Sequence, residues 1–382
     1  MPSTTQDEVF MQRALQLAAE TTALASPNPQ VGCVLVDDKN SIIGEGAHLY
    51  DNRDHAEIVA LKMAAVRGLS PRGATAYVTL EPCSHHGRTG PCADALIAAG
   101  IARAVIATED PNPLVSGQGI AKLRAANIEV TLGTLQQPAR SLNEAFAHFI
   151  QTRTPFVTLK AALSVNGKLA PPPTSRDSNQ PHWLTSPAAR AEVQRLRHAS
   201  DAILTGIGTV LADDPQLTDR TGLPRRRPLL RVLLDTHLRT PLTSQLVRSA
   251  ANDLLLLCGS AASPEKIAAL EARGAEVKII PNHADRLSLS TVLAELARRN
   301  ILSLLLEGGS HLNGSFLRQN LVDKAILFYA PTELGDQAIP FAEGIASPSL
   351  LEPSLQHLTR TTFGPDTCIT GYLHDPWPKP VP

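Results

Sequence analysis

Residues 55–110, HAEIVALKMAAVRGLSPRGATAYVTLEPCSHHGRTGPCADALIAAGIARAVIATED, decide the fold of the first half of the chain. HAEIVALKMAAV (55–66) carries apolar residues at helical spacing and reads as a helix. ATAYVTLEP (74–82) reads as a strand. CADALIAAG (92–100) is a second helix, closed by Gly100, a residue favoured just past a helix C-terminus. ARAVIATED (102–110) is a second strand. Strands alternating with helices of this length predict a mostly parallel α/β sheet covered on both faces.

The same alternation extends outward. Residues 7–24 place Val9, Phe10, Leu15, Leu17 and Leu24 among alanines, as in a helix with a buried stripe. Pro27 and Pro29 end it. VGCVLVDD (31–38) and IIGEGAHL (42–49) are strand-like, and GIAKLRAANIEV (119–130) gives a helix and a short strand. The pattern then restarts. PFVTLKAALS (155–164), DAILTG (201–206), LLRVLLDT (229–236), DLLLLCG (253–259), ILSLLLEGG (301–309) and KAILFYAP (324–331) read as strands. Helices are expected at 186–200, 264–273, 290–300 and 310–320, the first with Ser186 as N-cap and Pro187 at its first position. PPPTSRDSNQP (171–181) has four prolines and reads as loop. A chain of 382 residues exceeds the roughly 250–300 that one hydrophobic core serves. We expect domains at 1–150 and 151–373, with 374–382 as a loose tail.

Within the opening stretch, His55-Ala56-Glu57 opens a helix, and Cys83 and Cys92 are separated by eight residues. One imidazole and two thiolates are good zinc ligands that leave a fourth position for water. Zinc lowers the pKa of that water to about 7, and a nearby carboxylate can carry its proton to a leaving amine. His-x-Glu followed by Pro-Cys is the pattern of zinc deaminases, in which the Glu is not a ligand. A closed structural zinc site is the alternative. Its fourth ligand would have to be His85 or His86, and it would not need Glu57.

Composition narrows the partners. The formal net charge is −1, with 43% hydrophobic and 19% charged residues. Proteins that hold nucleic acid through its phosphates are normally basic, so a polynucleotide substrate is disfavoured. Five cysteines, Cys33, Cys83, Cys92, Cys258 and Cys368, make an odd set unsuited to a disulfide framework. Cys33, Cys258 and Cys368 lie in apolar contexts and read as structural. The N-terminus lacks a basic region followed by an apolar run, and no apolar run is long enough to span a bilayer. A cytoplasmic protein is expected. In the second half, LLLEGGSHLNGSF (304–316) is a strand, a glycine pair and a helix start, an arrangement that favours phosphate. There is no GxGxxG after a strand, so a standard Rossmann site is not supported.

HAE and EPCSHHGRTGPC, with SPNPQVGCVLV upstream and EDPNPLVSGQG downstream, resemble the bifunctional deaminase–reductases of riboflavin biosynthesis. SVNGKLA, HWLTS, LRHASDAILTGIGTVLADDPQLTDR, LLDT and LEGGSHLNGSF extend the resemblance through the second half. The resemblance implies a cytidine-deaminase-like three-layer α/β/α domain followed by a dihydrofolate-reductase-like α/β domain. It implies one Zn2+ per chain on His55, Cys83 and Cys92, with Glu57 as proton shuttle. It implies NADPH bound by Ala162, Trp183, Thr209, Asp213, Thr236 and the loop Gly309, Ser310, His311, Leu312, Asn313, Gly314 and Ser315. Substrate would meet Asn28, Arg197, Leu217, Arg220 and Glu307. His48 matches the family pattern near the substrate or is structural, and Arg88 faces a phosphate or solvent. The substrate implied is a small phosphorylated diaminopyrimidine, with no nucleic acid or membrane partner, and self-association through the reductase domain is implied too. A nucleoside or tRNA deaminase and a zinc-stabilised nucleotide-binding protein without turnover are the competing readings.

The chain departs from the family pattern at four places. Gly90 stands where Pro is usual, and Asn52 where Gly is usual. Asn52 suits a left-handed backbone better than most residues. Asn166 replaces an aspartate, and the 171–181 loop is long, with Pro181 near the expected substrate contact.

Overall fold

The computed structural model describes residues 5–85, 90–172, 183–283, 286–345 and 347–377. The chain forms two compact units. One runs to Arg153 and takes in Pro224–Arg226 and the segment from Trp377. The other comprises Thr154–Leu223 and Arg227–Pro376.

The first unit contains α1 (Thr5–Ala19), β1 (Gly32–Val36), β2 (Ile42–Ala47), α2 (Ala56–Val66), β3 (Thr75–Val78), α3 (Cys92–Ala98), β4 (Arg103–Ile106), α4 (Gln118–Ala125), β5 (Glu129–Leu132), α5 (Gln136–Leu142) and α6 (Glu144–Thr152). Its sheet has the order β2-β1-β3-β4-β5. One face buries Phe10, Met11, Leu15 and Ala139 of α1 and α5. The other buries Ala56, Ala60, Ala64, Leu96 and Leu123 of α2, α3 and α4. The result is three layers, with helices on both faces.

The expected mostly parallel sheet is corrected here. β1 pairs antiparallel with both β2 and β3, and only β3–β4 and β4–β5 are parallel. The cause is local. Asp37 Oδ1 accepts from the N–H groups of Lys39 and Ser41, closing a tight turn that sends β2 back along β1. α2 then lies with its backbone directly against the glycines of β2. A Cβ on Gly46 would fall 2.2 Å from the Ala56 carbonyl oxygen, and one on Gly44 2.2 Å from that of Ala60. Glycines on the strand and alanines at i, i+4 and i+8 of the helix therefore fix the helix that begins beside His55.

The second unit contains β6 (Phe156–Ser164), β7 (Lys168–Ala170), α7 (Pro187–Ala199), β8 (Ala202–Gly206), α8 (Ile207–Asp213), β9 (Leu230–Leu234), α9 (Gln245–Arg248), β10 (Leu254–Cys258), α10 (Pro264–Glu271), β11 (Ala275–Ile279), β12 (Asn282–His283), β13 (Arg286–Leu287), α11 (Leu289–Arg298), β14 (Ser303–Leu306), α12 (Ser310–Arg318), β15 (Lys324–Ala330), β16 (Ile339–Pro340), β17 (Gln356–Phe363) and β18 (Asp366–Tyr372). Nine strands form one sheet in the order β11-β10-β9-β8-β14-β6-β15-β18-β17. It is parallel from β11 to β15, and β18 and β17 add on antiparallel. The parallel strands are buried on both faces, which is why β10 reads LLLLC without alternation. Ser186 caps α7 through Ala189 N–H, with Pro187 at its first position.

The expected loose tail is corrected as far as Trp377. That indole is buried, donates from Nε1 to the Arg140 carbonyl at 3.1 Å, and lies 5.2 Å from the Arg140 guanidinium. His374 N–H donates to the Asp323 carbonyl. Most of the 171–181 loop, with Pro181, lies outside the described residues.

Candidate active site

His55 immediately precedes α2 in extended conformation, and Glu57 sits in the first turn. Cys83 follows the rigid Pro82 beyond β3, and Cys92 is the first residue of α3. His55 Nδ1 stands 3.5 Å from Cys83 Sγ and 3.2 Å from Cys92 Sγ. The three ligand atoms lie within 4.8 Å of one another. Tetrahedral zinc with bonds of about 2.0–2.3 Å would separate nitrogen and sulfur ligands by about 3.6 Å. The three donors therefore fit one zinc ion. Cys92 N–H donates to Cys83 Sγ at 3.3 Å. The Cys92 side chain and then His55 lower the Cys83 pKa, which favours its thiolate.

Glu57 is 3% exposed. Burial, reinforced by the nearby Cys83 charge, pushes its carboxyl up to about 7. His48 Nδ1 lies 2.8 Å from the Asp54 carbonyl, so that nitrogen carries the proton. Its Nε2 then accepts from Asn28 Nδ2 at 2.9 Å. Burial lowers the His48 pKa, in keeping with a neutral ring. The ring packs edge-on to His55 at 5.3 Å. The structure thus gathers His55, Glu57, Cys83 and Cys92 with His48 and Asn28. Arg88 lies outside the described residues. At the Asn52 departure the left-handed residue is Arg53, at φ 61°, while Asn52 ends a 3-10 turn, so the expected left-handed role moves by one position.

In the second unit, Glu307 follows β14 at its C-terminal end. Arg197 of α7 grips it with Nε on Oε1 at 2.8 Å and a terminal nitrogen on Oε2 at 3.0 Å. The same guanidinium donates to the Thr218 carbonyl. Lys160 of β6 adds its Nζ at 3.4 Å. Burial alone raises the Glu307 pKa, but Lys160 and Arg197 outweigh it and hold the carboxyl at about 2. Sequence reasoning missed Lys160. Its signal was a single charge inside the apolar strand PFVTLKAALS.

Leu217 is buried with φ 57°, and Arg220 is exposed, its backbone N–H donating to Gln194. The expected loop Gly309–Ser315 is helical from Ser310 onward. Its N-cap, Gly309, offers no side-chain cap, so the first amides of α12 are open to a ligand. A Cβ on Gly308 would lie 2.7 Å from Asn313 Oδ1, and one on Gly309 3.7 Å from Thr209 Oγ1. Asn313 donates to the Phe341 carbonyl, yet its buried Oδ1 has no partner among the described residues. The uncapped amides fit a dinucleotide phosphate, whereas Asn313 Oδ1, an acceptor, calls for a donor group such as a hydroxyl and not for the phosphate itself. Gly314 faces inward, where a Cβ would strike the Glu343 carbonyl at 2.3 Å. His311 is exposed and meets Glu343. Ala162 and Thr236 are half-buried, and Asp213 ends α8. Trp183 is 60% exposed with Arg190 over its ring. Asn166 clips the β6–β7 turn. Its Oδ1 accepts from Ser164 Oγ and Leu334 N–H, and its Nδ2 donates to the Leu334 carbonyl, a bond an aspartate could not make.

These two centres define a class: a zinc deaminase centre and a reductase-type α/β unit on one chain. Residues 4–108 match the cytidine and deoxycytidylate deaminase zinc-binding region, and residues 155–369 match the RibD C-terminal domain. The chain is 40% identical to riboflavin biosynthesis protein RibD of Bacillus amyloliquefaciens, covering 97% of each chain. It is 39% identical to that of Escherichia coli, covering 95% of this chain and 98% of the other. The solved Acinetobacter baumannii RibD superposes with a TM-score of 0.79 at 36% identity, covering 96% of this chain and 98% of the other. The Thermotoga maritima deaminase/reductase gives 0.81 at 34%, with the same coverage. The chain belongs to the RibD family of bifunctional deaminase–reductases of riboflavin biosynthesis, with zinc and NADPH as cofactors. No helix among the described residues is long and apolar enough to cross a membrane.

Proposed function

We propose that the chain carries out two successive steps on one phosphorylated pyrimidine. The first is hydrolytic deamination of 2,5-diamino-6-(5-phosphoribosylamino)pyrimidin-4-one at C2. The second is NADPH-dependent reduction of the ribosyl group to a ribityl chain. The observation that carries this reading is the convergence of His55 Nδ1 on two sulfurs beside a buried Glu57.

In the first step His55, Cys83 and Cys92 hold the metal. Zinc held there would lower the pKa of a water to about 7 and so supply a nucleophile for C2. Glu57 would take a proton from the water as its oxygen bonds to C2, and return a proton to the amino nitrogen as the C2–N bond breaks and ammonia leaves. Burial raises its carboxyl pKa above the ordinary carboxylate value, which eases its passage between the charged and protonated forms. Asn28 meets the pyrimidine, its amide oriented by His48 and the Asp54 carbonyl.

In the second step bound NADPH supplies the hydride. Gly309, Ser310, His311 and Leu312 at the start of α12 hold a cofactor phosphate, with Ala162, Trp183, Thr209, Asp213 and Thr236 around the rest. Arg197, Leu217, Arg220 and Glu307 meet the substrate. Arg197 is already engaged by Glu307, so the exposed Arg220 is the better phosphate fork. Lys160, held by Glu307, can donate to the sugar oxygen as its carbon is reduced.

We assign residues 1–150 to the deaminase and 151–373 to the reductase. The five free cysteines support a cytoplasmic location. Self-association through the reductase domain is supported by edge strand β17, exposed along nearly its whole length. The test is an assay on the diaminopyrimidine phosphate that follows ammonia and NADPH separately. Ammonia should appear without NADPH, and NADPH oxidation should require prior deamination. NADPH oxidation without ammonia release would overturn the order.

A further inference from the structure

Glu81 lies two residues before Cys83 and is 5% exposed. Backbone donors fill both of its oxygens. Oε1 accepts from the N–H groups of Gly119 (2.8 Å) and Ile120 (3.1 Å). Oε2 accepts from those of Asp110 (3.1 Å) and Gly117 (2.9 Å). The first amides of a helix have no intrahelical partner, and Gly117, the N-cap of α4, has no side chain to serve them. Glu81 supplies that cap from a distant part of the chain.

The same contact seats α4 on the metal-binding loop. A Cβ on Gly119 would fall 2.0 Å from the Pro82 carbonyl oxygen, so the helix rests directly on that peptide. From the other side, Ala93 N–H of α3 donates to the Cys83 carbonyl at 3.1 Å, and Cys92 N–H to Cys83 Sγ at 3.3 Å. Pro82 and Cys83 are therefore held between the first turns of two helices.

We propose that Glu81 is a positioning residue for the deaminase reaction, fixing where Cys83 Sγ stands in the zinc triad by clamping the first turn of α4 and the 110–117 loop onto Pro82. The proposal deepens the deaminase reading and rests on it. The role needs a carboxylate. An ionised carboxylate only accepts, whereas the amide nitrogen of a glutamine would turn N–H groups toward two of the four donors. Groups that orient metal ligands typically change affinity or activity 10–100-fold when replaced.

The test uses the full-length chain loaded with cobalt(II) in place of zinc, as wild type, Glu81→Gln and Glu81→Asp. The cobalt absorption bands read the ligand geometry. Ammonia release gives kcat and KM, and NADPH oxidation on the deaminated substrate reports on the second unit. Glu81→Gln should shift the cobalt bands and lower kcat for ammonia release about 10–100-fold, with KM and NADPH oxidation near wild type. Glu81→Asp, which keeps an acceptor-only group, should recover part of both. Wild-type bands and kcat in Glu81→Gln would overturn the proposal. So would two variants that bind no cobalt because the first unit no longer folds, which would make Glu81 a folding residue only. Absence of ammonia release from wild type would sink the deaminase reading instead, and the cobalt bands would still decide whether Glu81 sets the Cys83 geometry.

Discussion

Arg197 holds Glu307 with two parallel hydrogen bonds, of 2.8 and 3.0 Å, at the C-terminal edge of the larger sheet. Both side chains are nearly buried, at 11% and 12% exposure, and Lys160 completes the cluster. Removing one partner of a buried pair leaves the other charge uncompensated, at a cost of about 3–5 kcal/mol. Arg197→Ala should therefore lower the denaturation midpoint of the second unit and reduce NADPH oxidation together. Arg197→Lys should recover little, because an ammonium cannot reproduce the planar fork. A fully active Arg197→Lys chain would show that the fork is dispensable.

The Glu307 pKa gives a pH dependence of known sign. Its carboxyl is held at about 2, below the unfolded value near 4.5, so it stabilises the fold above the unfolded pKa. That contribution is lost as pH falls from about 4.5 through about 2. Glu307→Gln should be less stable than wild type by about 3 kcal/mol at neutral pH, with the gap closing across that window. Chemical denaturation at a series of pH values measures the gap. A gap independent of pH would contradict the ion-pair account.

Zinc should be present at one ion per chain and should serve only the first step. A chelator should abolish ammonia release while sparing NADPH oxidation on the deaminated substrate. Cys83→Ser should bind zinc at least about 10-fold more weakly, since a neutral hydroxyl replaces a thiolate ligand. Metal analysis and the two assays read this directly. Ammonia release from metal-free protein would end the zinc account.

Much of this was legible because it depends on residue type at short spacing. The zinc donors sit in two motifs, and the central buried strands and the longer helices of both halves follow from apolar runs and periodicity. The strand directions in the first sheet were not legible. GCVLV of β1 is buried on both faces whether its neighbours run parallel or antiparallel. β17, QHLTRTTF, was missed because an exposed edge strand carries no apolar alternation. Lys160 was hidden for a different reason. Its role comes from Glu307 and Arg197, which lie 147 and 37 residues away along the chain and meet only after β6, α7 and β14 are assembled. Trp377 looked like part of a proline-rich tail, and only the fold supplies the Arg140 carbonyl that receives its indole. Asn166 looked like a lost charge, and only Leu334 shows what its amide nitrogen does.

The central claim is that Glu57 shuttles protons in a zinc deaminase centre. The most direct measurement is ammonia release by Glu57→Gln with its zinc content determined in the same sample. The account predicts one zinc per chain, ammonia release lowered at least about 100-fold, and undiminished NADPH oxidation on the deaminated substrate. Ammonia release at the wild-type rate from zinc-loaded Glu57→Gln would contradict it.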